Sequence, residues 1–422
     1  MLGLVRRKGY VIVNEPENAD VIIVNTCGFI SEAVREGIST VLELAGYKEG
    51  SCKALIVVGC MVTRYKDEIL ADLPEVDAVL GTNELGQISD VIDRIFNPAT
   101  SPESLEMDTD DLFINRVLST HTGYAFLKIA EGCDNHCSYC TIPQIKGPYR
   151  SRSVSSLLLE AENLAKQGVR ELVLVAQDTT LYGKDSAGHP SLEVLLKKLS
   201  EIPEIEWLRI MYAYPENITG ALINEIAGNN KICKYLDMPI QHASDSILNR
   251  MGRPSTEAGL RSLIHNLRKD IPGIALRTTL ITGFPGETEA DFATMLKFVE
   301  DMRFDRLGVF TYSREEGTPA YEMKEQVPET LKTSRSEKIL EKQSRISLNI
   351  NKKFVSQTLK VLTEGRMPDD NGYVYCGRSY RDSPEKDGMV FFHSDEELMS
   401  GEFVNVRITE AFEHDLYGSR LP

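Results

Sequence analysis

Between residues 124 and 310 short β-rich runs alternate with helix-length stretches six times, and this alternation limits the chain more than any other feature. Strand candidates fall at 124–130, 171–176, 207–212, 235–239, 275–282 and 306–310, with helical periodicity between them. Successive strands joined by helical crossovers lie parallel. Six such units fit a partial, open TIM-type barrel, (β/α)6, whose chemistry sits at the C-terminal ends of its strands. A shorter alternation precedes it. Residues 19–27, 53–60 and 76–82 read as buried parallel strands and 31–46, 62–70 and 89–96 as helices, which makes an N-terminal α/β sandwich. Residues 97–123, with Asn-Pro, Ser-Pro and several Asp, read as a polar linker. An amphipathic helix is expected from 329 to about 355. After it come short strands with turn signals at 369–372, 384–388 and 399–401, which read as a small C-terminal antiparallel β-barrel. The expected domains are 1–98, 119–354 and 355–422, since 422 residues are too many for one ordinary core.

Composition narrows the function classes. Hydrophobic residues make up 42% and charged residues 26%, and no apolar run approaches the roughly 20 residues that a bilayer requires. No membrane association is expected. The first residues lack the basic start and small-residue cleavage site of a signal peptide, so the cytoplasm is the expected compartment. Of eight cysteines three are clustered and the rest scattered, a poor disulfide framework but one that suits metal sites in a reducing compartment. The net charge of −16 argues against indiscriminate nucleic-acid binding, which needs clustered Lys and Arg. It fits a basic partner better.

Cys133-Asp-Asn-His-Cys137-Ser-Tyr-Cys140 is a CxxxCxxC loop directly after the first barrel strand. Three thiolates on one tight loop can hold three irons of a [4Fe–4S] cube and leave the fourth without a protein ligand, where S-adenosylmethionine (SAM) would chelate through its amino and carboxylate groups. The competing chemistry is structural zinc, which needs four closed ligands. Only His136 lies near, and no second CxxC or HxxxH pair exists.

The stretch 127–143 around this loop, continuing through Gly147 and Arg-Ser-Arg at 150–152, resembles the radical SAM methylthiotransferases, and among them the RimO type that modifies small-subunit ribosomal protein number twelve. Asn-Thr-Cys-Gly-Phe-Ile at 25–30, Gly-Cys-Met at 59–61, Val-Ala-Gln-Asp-Thr-Thr at 175–180, Pro-Ile-Gln-His-Ala-Ser at 239–244 and Thr-Thr-Leu-Ile-Thr-Gly-Phe-Pro-Gly-Glu-Thr at 278–288 match in order. The segment 377–388 resembles the family's C-terminal TRAM module. The resemblance implies methylthiolation of the β-carbon of an aspartate. One SAM would methylate a sulfur, and a second would be cleaved reductively to a radical that removes the substrate hydrogen. It also implies two [4Fe–4S] clusters, and an electron donor such as flavodoxin or ferredoxin. The alternatives are a tRNA adenosine methylthiotransferase and a catalytically impaired remnant that binds only SAM or the ribosome. Residues 355–422 hold 7 Lys and Arg against 13 Asp and Glu, a net −6, a poor RNA platform but a fit to a basic ribosomal protein. No direct RNA binding is expected of this module.

Several residues are candidates for SAM contact. Gly283 and Gly286, after a strand, would let backbone approach a flat ligand closely, though such pairs are usually turns. Gln177 and Gln241, at the ends of the second and fourth barrel strands, face the expected ligand or are ordinary polar strand ends. Tyr139, between two cluster cysteines, packs either on adenine or in the loop's own core. Cys27 and Cys60 follow two strands of the first domain, each beside a glycine, so their thiols can converge. By spacing alone such residues are more often buried structural thiols. The resemblance makes them two of three ligands of the auxiliary cluster. It also places a strand and a Gly-Cys loop ahead of the residues that match Met1–Leu4, so the first ligand is expected to be absent from this sequence. Cys52, at the opposite end of the strand that delivers Cys60, is not expected to replace it. Cys233 and Cys376 read as structural.

Overall fold

The computed structural model describes residues 1–97, 116–118, 123–189, 191–367 and 373–422. The linker at 97–123 and the turn at 369–372 therefore fall almost entirely outside the described residues. Contacts divide the chain into two compact units. One comprises Met1–Val117, Gly132–Tyr149 and Ser313–Tyr321, the other Leu118–Glu131, Arg150–Tyr312 and Glu322–Pro422.

In the first unit the chain runs α1 (Leu2–Arg7), β1 (Val21–Thr26), α2 (Ser31–Ala45), β2 (Ala54–Gly59), α3 (Cys60–Asp72), β3 (Ala78–Leu80) and α4 (Ile88–Phe96). The three strands are parallel with β2 central. Every residue of β2 is buried, which is why its sequence lacks polar alternation. Its side chains serve two cores. Leu55 and Val57 pack with Val41 of α2 and Met61, Val62 and Ile69 of α3, whereas Ile56 and Val58 pack with Leu4 and Val5 of α1 and Ile88 and Ile92 of α4. This is the expected sandwich.

From Tyr124 the chain continues through β4 (Tyr124–Lys128), β5 (Ala130–Glu131), α5 (Ile142–Lys146), β6 (Arg150–Ser151), α6 (Val154–Lys166), β7 (Glu171–Val175), α7 (Lys184–Ala187), α8 (Leu192–Ser200), β8 (Trp207–Ile210), α9 (Gly220–Gly228), β9 (Ile232–Asp237), α10 (Asp245–Arg250), α11 (Glu257–Asp270), β10 (Ala275–Thr282), α12 (Glu289–Met302) and β11 (Arg306–Thr311). Strands β4, β7, β8, β9, β10 and β11 form an open parallel sheet in that spatial order. Strand β9 starts at Ile232, earlier than the expected 235. Its Lys234 is spent on the carbonyls of Ala227 and Asn229 at the end of α9, so a charged residue there does not interrupt the strand.

Helix α13 (Glu329–Asn351) leads to β12 (Thr358–Met367), β13 (Tyr373–Ser379), β14 (Val390–Ser394), β15 (Phe403–Ala411) and β16 (Leu416–Arg420), which close into a barrel in the order β12-β13-β14-β16-β15. The expected small barrel is present, with antiparallel pairing throughout except for β14 and β16, which run parallel. The segment 379–388, between β13 and β14, enters the (β/α)6 barrel from the N-terminal ends of its strands. There Glu171 joins Arg209 and Arg378, each at 2.6 Å, Arg306 joins Asp382 at 2.5 Å, and Arg381 joins Asp305 at 2.9 Å. Arg277 bridges Asp237 (2.8 Å) and Asp387 (3.3 Å), and Tyr235 donates to Asp387 at 2.7 Å. Trp207 meets Phe403 edge to face, their centroids 4.6 Å apart. Burying so many charges is tolerable only because each is matched. Burial alone would raise the Glu171 carboxyl, but Arg209 and Arg378 hold it below the ordinary carboxylate range. Arg306 overrides burial in the same way at Asp382. At Asp387 burial wins over Arg277 and the carboxyl is pushed up.

Candidate functional site

The CxxxCxxC loop belongs to Gly132–Tyr149 of the first unit, and it is pinched at its neck. Gly132 has φ +82°, and a Cβ there would lie 2.1 Å from the carbonyl oxygen of Pro148. The Cys133 N–H donates to the Gly147 carbonyl (3.2 Å) and the Tyr149 N–H to Asp134 Oδ1 (3.0 Å). Inside the neck the Cys140 N–H donates to the Cys137 carbonyl at 3.0 Å. Cys133, Cys137, Cys140 and Tyr139 are half-buried, while His136, in the left-handed region at φ +46°, is exposed. Among the described residues no three His, Cys, Asp or Glu side chains converge on a single-ion position. The fit to an iron–sulfur group rests on the donors themselves, three thiols on one closed loop, the ligand type and number that such a cluster takes from one loop.

Cys27 is exposed just past β1, and Cys60 is half-buried at the start of α3. The strand ends carrying them are adjacent, with Thr26 in register with Gly59. Two glycines allow this approach. A Cβ on Gly28 would lie 2.7 Å from the Cys60 carbonyl group, and one on Gly59, at φ +106°, 2.5 Å from the Thr26 oxygen. The two cysteine loops therefore lie in contact. A further link joins them to the CxxxCxxC loop, because Thr141 Oγ1, next to Cys140, donates to the Phe29 carbonyl at 3.3 Å.

A buried network that spacing did not reveal holds this corner. Arg64 donates to the Gly28 carbonyl (3.1 Å), to Glu315 Oε2 (3.1 Å) and to the Glu316 carbonyl (2.9 Å). Glu315 also accepts from the Ser31 N–H (2.8 Å) and from Ser313 Oγ (2.6 Å). Burial would raise the Glu315 carboxyl, but these hydrogen bonds carry it below its ordinary value. No local pattern signals a pair 251 residues apart. Of the other thiols, Cys52 is buried and donates to the Ala54 carbonyl (3.2 Å). Burial pushes the Cys233 thiol up to about 12.

In the second unit the remaining candidates cluster at the C-terminal ends of the barrel strands. Gln177 lies two residues past β7. Gln241, at φ +68°, forms an isolated bridge with Leu280, donating to the Thr279 carbonyl (2.9 Å) and accepting from the Ile281 N–H (2.7 Å). Both Gln177 Oε1 and Gln241 Oε1 are buried without a hydrogen-bond partner among the described residues. A buried acceptor left so costs about 1–3 kcal/mol, and SAM offers amino and hydroxyl donors for both. Gly283 and Gly286 adopt φ +71° and +85°. The neighbours facing their missing Cβ atoms are the side chains of Lys332 and Arg250. The turn between them is held by Glu287, which accepts from the Gly283 N–H (2.9 Å) and from Arg335 (2.6 Å) and lies 3.3 Å from His242 Nε2. His242 Nδ1 accepts from the Ser244 N–H (2.9 Å), so in the neutral ring the proton sits on Nε2, toward Glu287. Sequence reasoning missed Glu287, His242 and Arg335.

Residues 127–299 match the radical SAM superfamily, 355–420 the TRAM domain, and 1–81 a family described as uncharacterized protein family UPF0004. The ribosomal protein uS12 methylthiotransferase RimO of Lachnoclostridium phytofermentans is 51% identical over 421 residues, covering 99% of this chain and 95% of that protein. The chain belongs to the RimO family of radical SAM methylthiotransferases. The RimO of Acetivibrio thermocellus is 50% identical, covering 99% of this chain and 94% of its own. Among solved structures, the radical SAM methyltransferase TsrM of Kitasatospora setae, with tryptophan and a SAM analogue bound, superposes with a TM-score of 0.54 at 13% identity over 83% of this chain and 68% of its own. That likeness concerns the fold alone. No helix among the described residues is long and apolar enough to cross a membrane.

Proposed function

We propose that this RimO-family enzyme methylthiolates the β-carbon of an aspartate in the small-subunit ribosomal protein uS12. In this reading Cys133, Cys137 and Cys140 hold a [4Fe–4S] cluster, and Cys27 and Cys60 ligate a second. Gln177, Gln241, Gly283, Gly286 and Tyr139 receive SAM. The division of labour follows the segments 1–98, 119–354 and 355–422. When bound, cluster and SAM supply a radical able to take hydrogen from an unactivated C–H bond, which side-chain acid–base chemistry cannot do at neutral pH. The chain's own groups do the positioning. Gly132 and Gly147 close the loop neck, Arg64 fixes the Gly28 carbonyl beside Cys60, and Glu287 shapes the turn at 283–287. The observation that carries the reading is the contact of the two cysteine loops through Gly28 and Gly59, with Thr141 bonded to Phe29 in the same compact unit.

The acidic C-terminal barrel, at −6, and the whole chain, at −16, favour a basic protein over RNA as partner. A flavodoxin or ferredoxin would deliver electrons. Anaerobically reconstituted enzyme, given SAM, a reductant and the ribosomal protein, is expected to add a methylthio group to one aspartate, as read by mass spectrometry. A Cys133→Ala, Cys137→Ala, Cys140→Ala triple variant is expected to lose SAM cleavage. Methylthiolation of transfer RNA adenosine instead, with the ribosomal protein untouched, would replace this substrate class.

A further inference from the structure

The tip of segment 379–388 supplies the only Lys of the C-terminal barrel besides Lys360. Lys386 is exposed, and its Nζ lies 2.5 Å from the hydroxyl of Tyr212 and 4.7 Å from the centre of its ring. Among the described residues the Tyr212 side chain is its one partner. The carboxylates on either side are committed elsewhere, Glu385 to the Tyr124 hydroxyl (3.0 Å) and Asp387 to Tyr235 and Arg277. In a chain of net charge −16 a cation with no counter-charge among the described residues is unexpected.

Tyr212 is held in an unusual posture. It lies two residues past β8 with φ +54°, a left-handed backbone that costs a side-chain-bearing residue about 1–2 kcal/mol. Its neighbours enforce it. Its N–H donates to Asp237 Oδ2 (3.2 Å), its carbonyl accepts from the Thr179 N–H (3.2 Å), and its side chain packs against the buried cluster of the barrel interior that includes Val173, Met211 and Tyr235. Backbone strain maintained in this way concentrates at ligand clamps. The effect is to turn the ring into the barrel, with its hydroxyl at the ammonium of Lys386.

We propose that Lys386 and Tyr212 form the carboxylate-recognition pair for the target aspartate. The assignment rests on the reading that aspartate is the substrate and names the residues that select it. The ammonium and the phenol hydroxyl present two donors to one carboxylate, holding the side chain so that its β-carbon faces the C-terminal mouth of the strands. An asparagine offers neither the charge nor two acceptor oxygens. The C-terminal barrel, through this tip, thus provides part of the substrate site as well as an outer surface.

The test uses the reconstituted full chain with SAM and no reductant, titrated with a peptide spanning the target aspartate and with the same peptide carrying asparagine. Wild-type enzyme is expected to prefer the aspartate peptide. In Lys386→Gln the Kd for that peptide should rise about ten- to hundredfold, with little change for the asparagine peptide, so that the ratio approaches one. Lys386→Arg should restore most of the ratio, and Tyr212→Phe should lower it severalfold. Because the ratio is taken within each variant, a general folding defect does not mimic the result. An unchanged ratio in Lys386→Gln, with normal methylthiolation by the wild type under reductant, overturns this assignment alone. A wild type that leaves the aspartate unmodified overturns the functional reading and the assignment with it.

Discussion

Gly132 shows how much one hydrogen atom in place of a methyl can decide. Its φ of +82° and the Pro148 oxygen, 2.1 Å from where a Cβ would stand, leave room for no other residue. Gly132→Ala is expected to cost about 2–5 kcal/mol, the sum of a left-handed side-chain penalty and local overpacking. The cost falls on the neck that spaces Cys133 from Cys140. Iron bound per chain after anaerobic reconstitution should therefore fall together with the melting temperature. Wild-type iron content in this variant would mean that the loop closes without its neck. Arg64 and Glu315 act at the same scale on the loop of Cys27, one guanidinium holding the Gly28 carbonyl next to Cys60.

At the scale of elements the decisive contact is between segment 379–388 and the lower ends of the barrel strands. Glu171 there neutralises two buried arginines. Glu171→Gln leaves Arg209 and Arg378 without their shared charge and is expected to destabilise the chain by about 3–5 kcal/mol, measured by denaturant titration. Acidification should act in the same direction. The carboxyls of Glu171 and Asp382 are lowered in the folded chain, so their contribution is present above the unfolded carboxylate range, about pH 4, and is lost as pH falls through their folded values. Asp387 is raised, so its contribution has the opposite sign and is lost as pH rises. With two lowered groups against one raised, thermal melts should show stability falling steeply below about pH 4. A flat profile from pH 6 to 3 would show that these pairs contribute nothing net.

For the whole molecule the net charge of −16 sets the physics of encounter. Steering of a basic ribosomal protein toward an acidic enzyme is screened over about 10 Å at 0.1 M salt. The KM for the ribosomal protein is thus expected to rise severalfold between 50 and 300 mM salt, with a smaller change for a short neutral peptide carrying the same aspartate. Equal salt dependence for both would place recognition in the local site alone.

The sequence by itself determined the six barrel strands, the three-layered first domain and the cysteine loops. Each of these is a local signal: an apolar run of strand length, a helical period, or three thiols within eight residues. The close approach of Cys27 and Cys60 was legible from the glycines beside them, and the polar ends at Gln177 and Gln241 from the strands they follow. The tertiary structure alone decided which distant groups meet. Arg64 finds Glu315 251 residues away, Glu171 finds Arg378 207 away and Lys386 finds Tyr212 174 away. It also decided that β14 and β16 close their barrel in parallel. The physical reason is that hydrophobic burial and backbone hydrogen bonding follow local periodicity, whereas the partner of a buried charge is set by where the chain returns after the elements have packed, and no spacing in the sequence records that.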